Sequence, residues 1–177
     1  MRIIAVAGMP GAGKEEFLTV ARGMGIPFLR MGDVVRDFHA ERAPEDAALS
    51  VGQIANTERE RHGYSIWAKR AMARMHGAIF LVDGCRSMDE VRAYRELTDD
   101  VMVVGIHSSP ATRYERLVRR NRDDAPRNPE EFMERDRREI GWGLAELIVL
   151  SDVLIVNEGT LSDFRTNSEI VLRKMMK

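Results

Sequence analysis

Residues 8–17 of the chain, GMPGAGKEEF, hold glycines and a lysine at the spacing of a phosphate-binding loop. Gly8, Gly13 and Lys14 fit the pattern G-x-x-x-x-G-K, which follows an apolar run and opens a helix-like pattern. Glycines let successive N–H groups point at an anion, and the lysine reaches the outer phosphates. The alternative is a glycine-rich turn with no ligand. We expect ATP at this loop, bound by Gly8, Met9, Pro10, Gly11, Ala12, Gly13, Lys14 and Glu15.

Glu15 stands after the loop lysine, where such loops usually have a serine or threonine that gives its hydroxyl to magnesium. An unscreened carboxylate about 5 Å from a phosphate charge would cost about 3 kcal/mol at an effective dielectric of about 20. The side chain therefore either turns into solvent or shares Mg²⁺ with the phosphates, because oxygen ligands suit that ion. The same residue also fits a nucleotide-binding regulator that transfers nothing.

Two further carboxylates lie near the ends of predicted strands, where ligands bind in open α/β sheets. Asp83 ends the run AIFLVD, and we expect it to hold the waters of magnesium. Asp33 begins the helix predicted after FLRMG and faces the same crevice. It either accepts a proton from a hydroxyl acceptor or only caps its helix. If the acceptor is a phosphate, no base is required.

Composition limits the class of protein. The chain has 177 residues, 44% of them hydrophobic, which is enough for one core and about one domain. A formal net charge of -1 argues against binding nucleic acid by bulk charge. The single cysteine, Cys85, cannot form an internal disulfide. No stretch resembles a signal peptide or reaches the ~20 apolar residues of a membrane span, so we expect a cytoplasmic protein with no membrane contact.

Apolar runs alternate with helix-like segments along the chain. The run RIIAVAG is followed by Phe17, Val20, Ala21 and Met24 at i, i+3, i+4 and i+7, which is helix spacing. The alternation returns four more times, and apolar strands of this kind indicate a parallel sheet with helices on both faces. We predict a three-layer α/β/α fold with about five parallel strands, in one domain over residues 1–177.

Three predicted helices start with a cap residue answered by an acid three positions later. The pairs are Ser87 with Glu90, Asn128 with Glu131, and Thr160 with Asp163. Pro110 and Pro129 stand at first helical positions, where proline is tolerated. About 45 residues separate the second and third predicted strands, too many for one crossover helix. We predict a helical, acceptor-binding lobe there, over about residues 36–76.

Two short segments resemble adenylate kinases. GDVVR at 32–36 is similar to their Gly-Asp-Met-Leu-Arg segment, and VDGCRS at 82–87 to their Asp-Gly-Phe-Pro-Arg segment. In that family the two arginines hold the phosphate of the acceptor nucleotide, which implies that Arg36 and Arg86 bind the acceptor here. MGIPFLRMGD and SDVLIVNEGTL are similar to dephospho-CoA kinases, in which the second segment passes the adenine of ATP. That resemblance implies that Asn157 and Gly159 lie near the base.

The order of GMPGAGK, MGDVVR, VDGxRS, ERDRRE and IVNEG along nearly the whole chain is most similar to an archaeal family described as dephospho-CoA kinase-related or adenylate kinase-related. The resemblance implies the P-loop nucleoside monophosphate kinase superfamily, and a cofactor set of ATP and Mg²⁺. Taking residues and resemblance together, the predicted catalytic residues are Lys14, Asp33, Arg120 and Arg135, the predicted acceptor-binding residues are Asp33, Arg36 and Arg86, and the predicted metal-binding residues are Asp83 and Glu15.

Nine arginines lie between Arg113 and Arg138, interleaved with acids. Arginines that converge on a phosphoryl group stabilise its charge, and the non-periodic stretch RNRDDAPRN suits a lid that closes over ATP. We predict this lid at about residues 119–138. By resemblance, Arg116 and Arg120 lie along the nucleotide, and Arg127 and Arg135 belong to the lid. The alternative is a solvated helix face. The lid has no cysteine quartet, which excludes a zinc-bearing version.

The remaining candidates are more ordinary. His39, His62, His76 and His107 share no ligand spacing. Trp67 and Trp142 fall in predicted helices, where packing is the usual role, although Trp67 in the lobe remains an alternative acceptor contact. Cys85 borders the site or is a small buried hydrophobe.

The function predicted from the sequence is transfer of the γ-phosphoryl group of ATP to a nucleotide-like small molecule, either dephospho-CoA or a nucleoside monophosphate such as AMP. The alternative is an ATP-binding regulator, or an ATPase without a dedicated acceptor. Nucleic-acid binding through the arginine segment is not expected, because acids interrupt it.

Overall fold

A computed structural model describes residues 1–42, 49–122 and 125–177 of the chain. Its strands are β1 (Arg2–Gly8), β2 (Phe28–Arg30), β3 (Ile79–Asp83), β4 (Val101–His107) and β5 (Val153–Val156). Its helices are α1 (Lys14–Gly23), α2 (Met31–Glu41), α3 (Val51–His62), α4 (Ile66–Met72), α5 (Met88–Leu97), α6 (Pro110–Arg120), α7 (Pro129–Gly141), α8 (Leu144–Val149) and α9 (Leu161–Met175).

The five strands form one parallel sheet in the order β2-β3-β1-β4-β5. Alternate residues of β1 enter two different cores. Ile3 and Ala5 pack in one cluster with the lobe helices, whereas Ile4 and Val6 pack in the other with α1 and α9. Both faces of the sheet are therefore covered, and the predicted three-layer α/β/α fold is confirmed.

The predicted helix starts are also confirmed. The side chains of Ser87, Asn128 and Thr160 each accept a hydrogen bond from the backbone N–H three residues later. Pro110 and Pro129 occupy the first positions of α6 and α7. These caps satisfy amides that have no partner within the helix, so each loop before a helix has a defined end.

The region after β2 differs in detail from the prediction. The helix was predicted to begin at Asp33, after FLRMG, but β2 ends at Arg30 and α2 begins at Met31. Met31 is 1% exposed and packs in the lobe-side core, which draws the chain into the helix early. Asp33 consequently lies in the first turn of α2, two residues inside the helix, and makes no cap hydrogen bond. The capping alternative for Asp33 is therefore wrong.

Helices α2, α3 and α4 form the predicted helical lobe, as far as it is described. Val34, Ala55 and Trp67 face the sheet and belong to the same core cluster as β1 and β3. Positions 43–48 of the lobe and 123–124 of the predicted lid lie outside the described residues. In the part of the chain that the structure covers, no helix has the length and apolar character to cross a membrane.

Candidate functional site

The loop between β1 and α1 has the backbone that the glycine pattern predicts. Gly11 and Gly13 have φ of 84° and 115°, which side-chain-bearing residues rarely adopt. A Cβ at Gly11 would lie 2.8 Å from the carbonyl oxygen of Arg113, and one at Gly13 would clash with the amide of Asn157. Both glycines are required by close packing as well as by conformation. The loop opens directly into the N-terminus of α1, which favours an anion.

Lys14 and Asp83 meet beside this loop. The Lys14 ammonium donates to the carbonyl oxygens of Gly8 at 2.6 Å and Met9 at 3.4 Å. Burial lowers the pKa of Lys14, and the negative charge of Asp83 opposes that shift. Asp83 ends β3, which pairs with β1. Burial raises the pKa of Asp83, and the charge of Lys14 opposes that shift in turn.

A cleft of about 440 Å³ lies over the loop at the carboxyl ends of the strands. It brings together residues predicted separately from the phosphate loop, the strand ends and the lid. The charged residues lining it are Lys14, Glu15, Glu16, Asp83, Arg86, Arg116, Arg120, Arg122, Arg135 and Glu139. A concave site with this many convergent charges suits a polyanionic ligand better than an apolar one.

Arg86 lines the cleft and is held from the side by α7. Its Nε donates to the Glu139 carboxylate at 2.7 Å, and its guanidinium lies 5.2 Å from the ring centre of Trp142. Burial works against the charge of Arg86, but Glu139 and Glu90 outweigh it, so the pKa of Arg86 is raised. Arg86 therefore stays cationic in the cleft.

Glu139 is a cleft residue that sequence reasoning missed. It is 5% exposed, and its negative charge opposes the lowering of the Lys14 pKa by burial. A signal was available, since Glu139 follows Arg135 by four residues on one helix and both line the cleft. Glu139 was not singled out because arginines and acids alternate in this stretch of the sequence, a pattern that also fits a solvent-exposed helix face.

Glu15 has a partner that the sequence did not indicate. Its Oε2 accepts a hydrogen bond at 2.8 Å from Arg30, the last residue of β2. The neighbouring Glu16 is paired at 2.8 Å with Arg165 of α9. Both carboxylates after the loop lysine thus carry a neutralising arginine.

Arg116 connects α6 to the far side of the loop. It donates to Ser108 Oγ at 2.9 Å and to the carbonyl oxygen of Asn157 at 3.0 Å, and it lines the cleft. The Asn157 amide donates to the carbonyl oxygen of Ala12 at 2.9 Å and is nearly buried. Asn157 supports the loop from behind rather than lining the cleft.

Several other predicted residues also lie away from the cleft lining. Asp33 and Arg36 form an ion pair with each other on α2, and both side chains are about half-exposed. Gly159 follows β5 and lies beside Asp163. Arg127 is exposed and its N–H donates to the Glu131 carboxylate.

Trp67, Trp142 and Cys85 serve mainly in packing. Trp67 is fully buried and donates to the carbonyl oxygen of Ala55, as expected of a core residue. Trp142 follows the last residue of α7 instead of lying inside a helix. Cys85 is 1% exposed but also lines the cleft, so it borders the site as one alternative predicted, and burial raises the pKa of its thiol. The thiol is thus poorly suited to act as a nucleophile.

The carboxylates of the cleft fit a magnesium ion that is held mostly by phosphates and water. Across residues 1–42, 49–122 and 125–177, no three Asp, Glu, His or Cys side chains gather as a metal cluster. Asp83 Oδ1, however, is buried and has no hydrogen-bond partner among the described residues. Magnesium bound through one or two carboxylates, phosphates and water needs no larger protein cage.

Comparison with known proteins identifies the family of the chain. The family described as "AAA domain" matches residues 7–133. The chain is 41% identical to a UPF0200 protein of Hyperthermus butylicus, over 98% of this chain and 94% of that protein.

Two solved kinases share the fold. A gluconokinase from Sinorhizobium meliloti superposes with a TM-score of 0.62 at 14% identity, covering 98% of this chain and 93% of that one. A shikimate kinase from Acinetobacter baumannii, in complex with shikimate, gives 0.63 at 13% identity, covering 99% and 93%. At such low identity these likenesses show a P-loop kinase fold and leave the substrate open.

Proposed function

We propose a function for this chain, which belongs to the UPF0200 family and to the P-loop kinase-like superfamily. It transfers the γ-phosphoryl group of ATP to a small, nucleotide-like acceptor. One observation carries the proposal. Lys14, Asp83 and Arg86 line one cleft with three lid-region arginines, at the carboxyl ends of parallel strands. Phosphoryl transfer depends on positioning and on stabilising charge, which such a cleft supplies.

The donor half of the cleft is the loop and α6–α7. The loop amides and Lys14 bind the β- and γ-phosphates of ATP. Arg116, Arg120 and Arg135 face the same space and stabilise the charge that spreads over the transferring group. Mg²⁺, when bound, would neutralise charge on the phosphate oxygens, and we assign Asp83 as its carboxylate because Oδ1 is buried without a hydrogen-bond partner among the described residues.

The acceptor half of the cleft consists of Arg86 and the helical lobe. Arg86 binds an anionic group of the acceptor, in keeping with its retained charge. AMP and dephospho-CoA remain the two acceptors implied by the sequence. They differ chemically, because a phosphate acceptor needs no base, whereas a hydroxyl acceptor must lose a proton.

Asp33 and Arg36 belong to the acceptor half only if the lobe closes. Both lie on α2, paired with each other and outside the cleft lining. Closure of a lobe over bound substrates is a common step in kinases of this architecture. Under the proposal, acceptor binding brings α2 toward the cleft, and Asp33 then becomes a candidate base for a hydroxyl acceptor.

The test is a panel of acceptors with γ-labelled ATP and Mg²⁺, comprising AMP, CMP, UMP, dephospho-CoA and no acceptor. Label appearing on a single acceptor supports the proposed function and identifies the substrate. Release of inorganic phosphate without any labelled acceptor would favour an ATPase. Lys14→Ala run in parallel shows whether the observed transfer belongs to this cleft.

A second function is an ATP-binding regulator, and the observation favouring it is Glu15 in place of a hydroxyl-bearing residue. This role predicts nucleotide binding without transfer to any member of the panel. Calorimetry with ATP beside the transfer assay separates the regulator from an enzyme that acts on a member of the panel, since only the regulator combines binding with no product.

A further inference from the structure

Arg30 is the residue of β2 that reaches the phosphate loop. It ends the strand, and in the parallel ladder it pairs with Asp83 of β3. From that position its Nη2 extends to Glu15 Oε2 at 2.8 Å, across the first turn of α1. Its Nε is buried and has no hydrogen-bond partner among the described residues. The guanidinium of Arg30 is thus paired with Glu15, and its charge acts on Asp83 as well.

Pairing of acids with cations is the rule around this cleft. Glu16 is bound by Arg165 and Glu139 by Arg86, and Asp83 interacts with Lys14. Glu15 follows the same rule through Arg30. A cleft that takes a triphosphate must neutralise its own carboxylates, because like charges at short range repel.

Glu15 is the carboxylate that most requires a neutralising cation. It directly follows Lys14, and its charge is close enough to Asp83 to raise the pKa of that buried acid. Glu15 also lines the cleft that holds the loop. A hydroxyl at this position would carry no charge, so the glutamate creates a repulsion that the usual residue does not.

We infer that Arg30 is a positioning residue for nucleotide binding, which holds Glu15 by its ion pair and so keeps that negative charge from the phosphates of ATP. The inference rests on the proposed ATP site and adds a residue to it. The ion pair is partly exposed, at 31% for the Arg30 side chain and 47% for that of Glu15, and such pairs contribute little to folding. Arg30 therefore acts on ligand affinity more than on stability, and it acts through Glu15.

The experiment is a double-mutant cycle read by binding. Calorimetry with a non-hydrolysable ATP analogue and Mg²⁺ is run on the natural protein, Arg30→Gln, Glu15→Gln and the double variant. Arg30→Gln should weaken binding by about tenfold, or about 1.4 kcal/mol. Glu15→Gln alone should not weaken it, and the double variant should return to within about threefold of the natural protein.

Two controls sharpen the cycle. Arg173→Gln removes the partner of Glu169, an acid of α9 that does not line the cleft, and should change affinity by less than about twofold. Arg30→Met removes the guanidinium, which lies 5.6 Å from the centre of the Phe28 ring, but keeps an unbranched side chain, and it carries the same expectation as Arg30→Gln. Thermal unfolding checks that each variant folds. If Arg30→Gln does not fold, the affinity of Arg30→Met is used in its place.

Three results of the binding experiment would overturn the role inferred for Arg30. If Arg30→Gln and Arg30→Met bind the analogue like the natural protein, the charge of Glu15 does not matter to ATP and the inference is overturned. If the double variant is as weak as Arg30→Gln, Arg30 acts directly and not through Glu15, which also overturns it. If the natural protein does not bind the analogue at all, the proposed function itself fails, and the inference with it.

Discussion

The guanidinium of Arg113 forms two hydrogen bonds with the carboxylate of Asp136, at 2.9 and 2.5 Å. The same Nη1 donates to the carbonyl oxygen of Pro10 at 3.2 Å. Arg113 is 3% exposed. A buried ion pair thus fastens α7, which carries Arg135 and Glu139, to the phosphate loop.

Asp136→Ala should destabilise the fold by about 3 kcal/mol, because it leaves the buried guanidinium of Arg113 without its counter-ion. Urea unfolding measures the loss. Asp89→Ala removes an equally short but exposed pair with Arg92 and should cost under about 0.5 kcal/mol. Similar losses in both variants would show that Arg113 finds water or another partner, and that α7 is not fixed in this way.

Lys14→Ala should lower phosphoryl transfer by roughly 100-fold or more while the protein stays folded, since the ammonium stabilises charge that grows in the transition state. Steady-state transfer to the acceptor identified by the panel gives the rate, and circular dichroism checks the fold. Lys69→Ala, an exposed lysine on α4, is the matched control and should retain full activity. Near-normal turnover of Lys14→Ala would contradict the phosphate-loop assignment.

Asp83→Asn should raise stability at neutral pH although it impairs transfer. Burial raises the pKa of Asp83 above its ordinary 3.8, so the folded chain holds that proton more tightly than the unfolded chain. Stability from this group therefore falls as pH rises from 3.8 through the folded pKa. The asparagine variant lacks this loss, and its advantage should shrink as pH is lowered toward 3.8.

Denaturant unfolding at a series of pH values tests this dependence on Asp83. Asp89→Asn is the control on the surface of α5 and should change stability by under about 0.5 kcal/mol. Lower stability of Asp83→Asn at neutral pH would mean that attraction to Lys14 outweighs the burial of the carboxylate.

Arg86→Ala should reduce kcat/KM for the acceptor by about tenfold or more, since it removes a cleft-lining cation. Arg36→Ala should have a smaller effect, because Arg36 lies on α2 outside the lining. Affinity for a non-hydrolysable ATP analogue should stay within a few fold in both. Loss of ATP affinity in Arg86→Ala comparable to that of Lys14→Ala would show that the cleft has no separate acceptor half.

The architecture was accessible from sequence because its signals are local. The apolar runs of β1, β3 and β4 and the caps at Ser87, Asn128 and Thr160 all involve residues a few positions apart. The phosphate loop is a local signal as well, since its glycines and lysine act through the backbone of one turn.

The charged partners of the site were not accessible in the same way. Arg30 lies 15 residues from Glu15, and Glu139 lies 53 from Arg86, so neither pair has a spacing that a helix or strand period would indicate. Asn157 shows a related limit. Its amide donates to the carbonyl oxygen of Ala12, a residue 145 positions away, and its predicted place near the adenine stays a prediction.

Glu15→Ser should preserve or improve nucleotide binding and change the magnesium dependence of transfer. The serine restores an uncharged oxygen of the kind that usually binds the metal at this position, and it removes a carboxylate from the edge of the phosphate site. Arg30 then loses its partner and becomes an additional cation near the phosphates. The expected result is a lower magnesium concentration for half-maximal rate and an ATP affinity at least equal to that of the natural protein.

Glu15→Gln separates charge from coordination in this experiment. It removes the negative charge but keeps the length of the side chain, so it should match Glu15→Ser in ATP affinity and fall short of it in magnesium dependence. A magnesium titration of ATP affinity and of rate, on all three proteins, provides the measurement. If the natural protein transfers nothing at any magnesium concentration and Glu15→Ser restores transfer, the chain is a nucleotide binder with a disabled site, and the regulator replaces the kinase as its function.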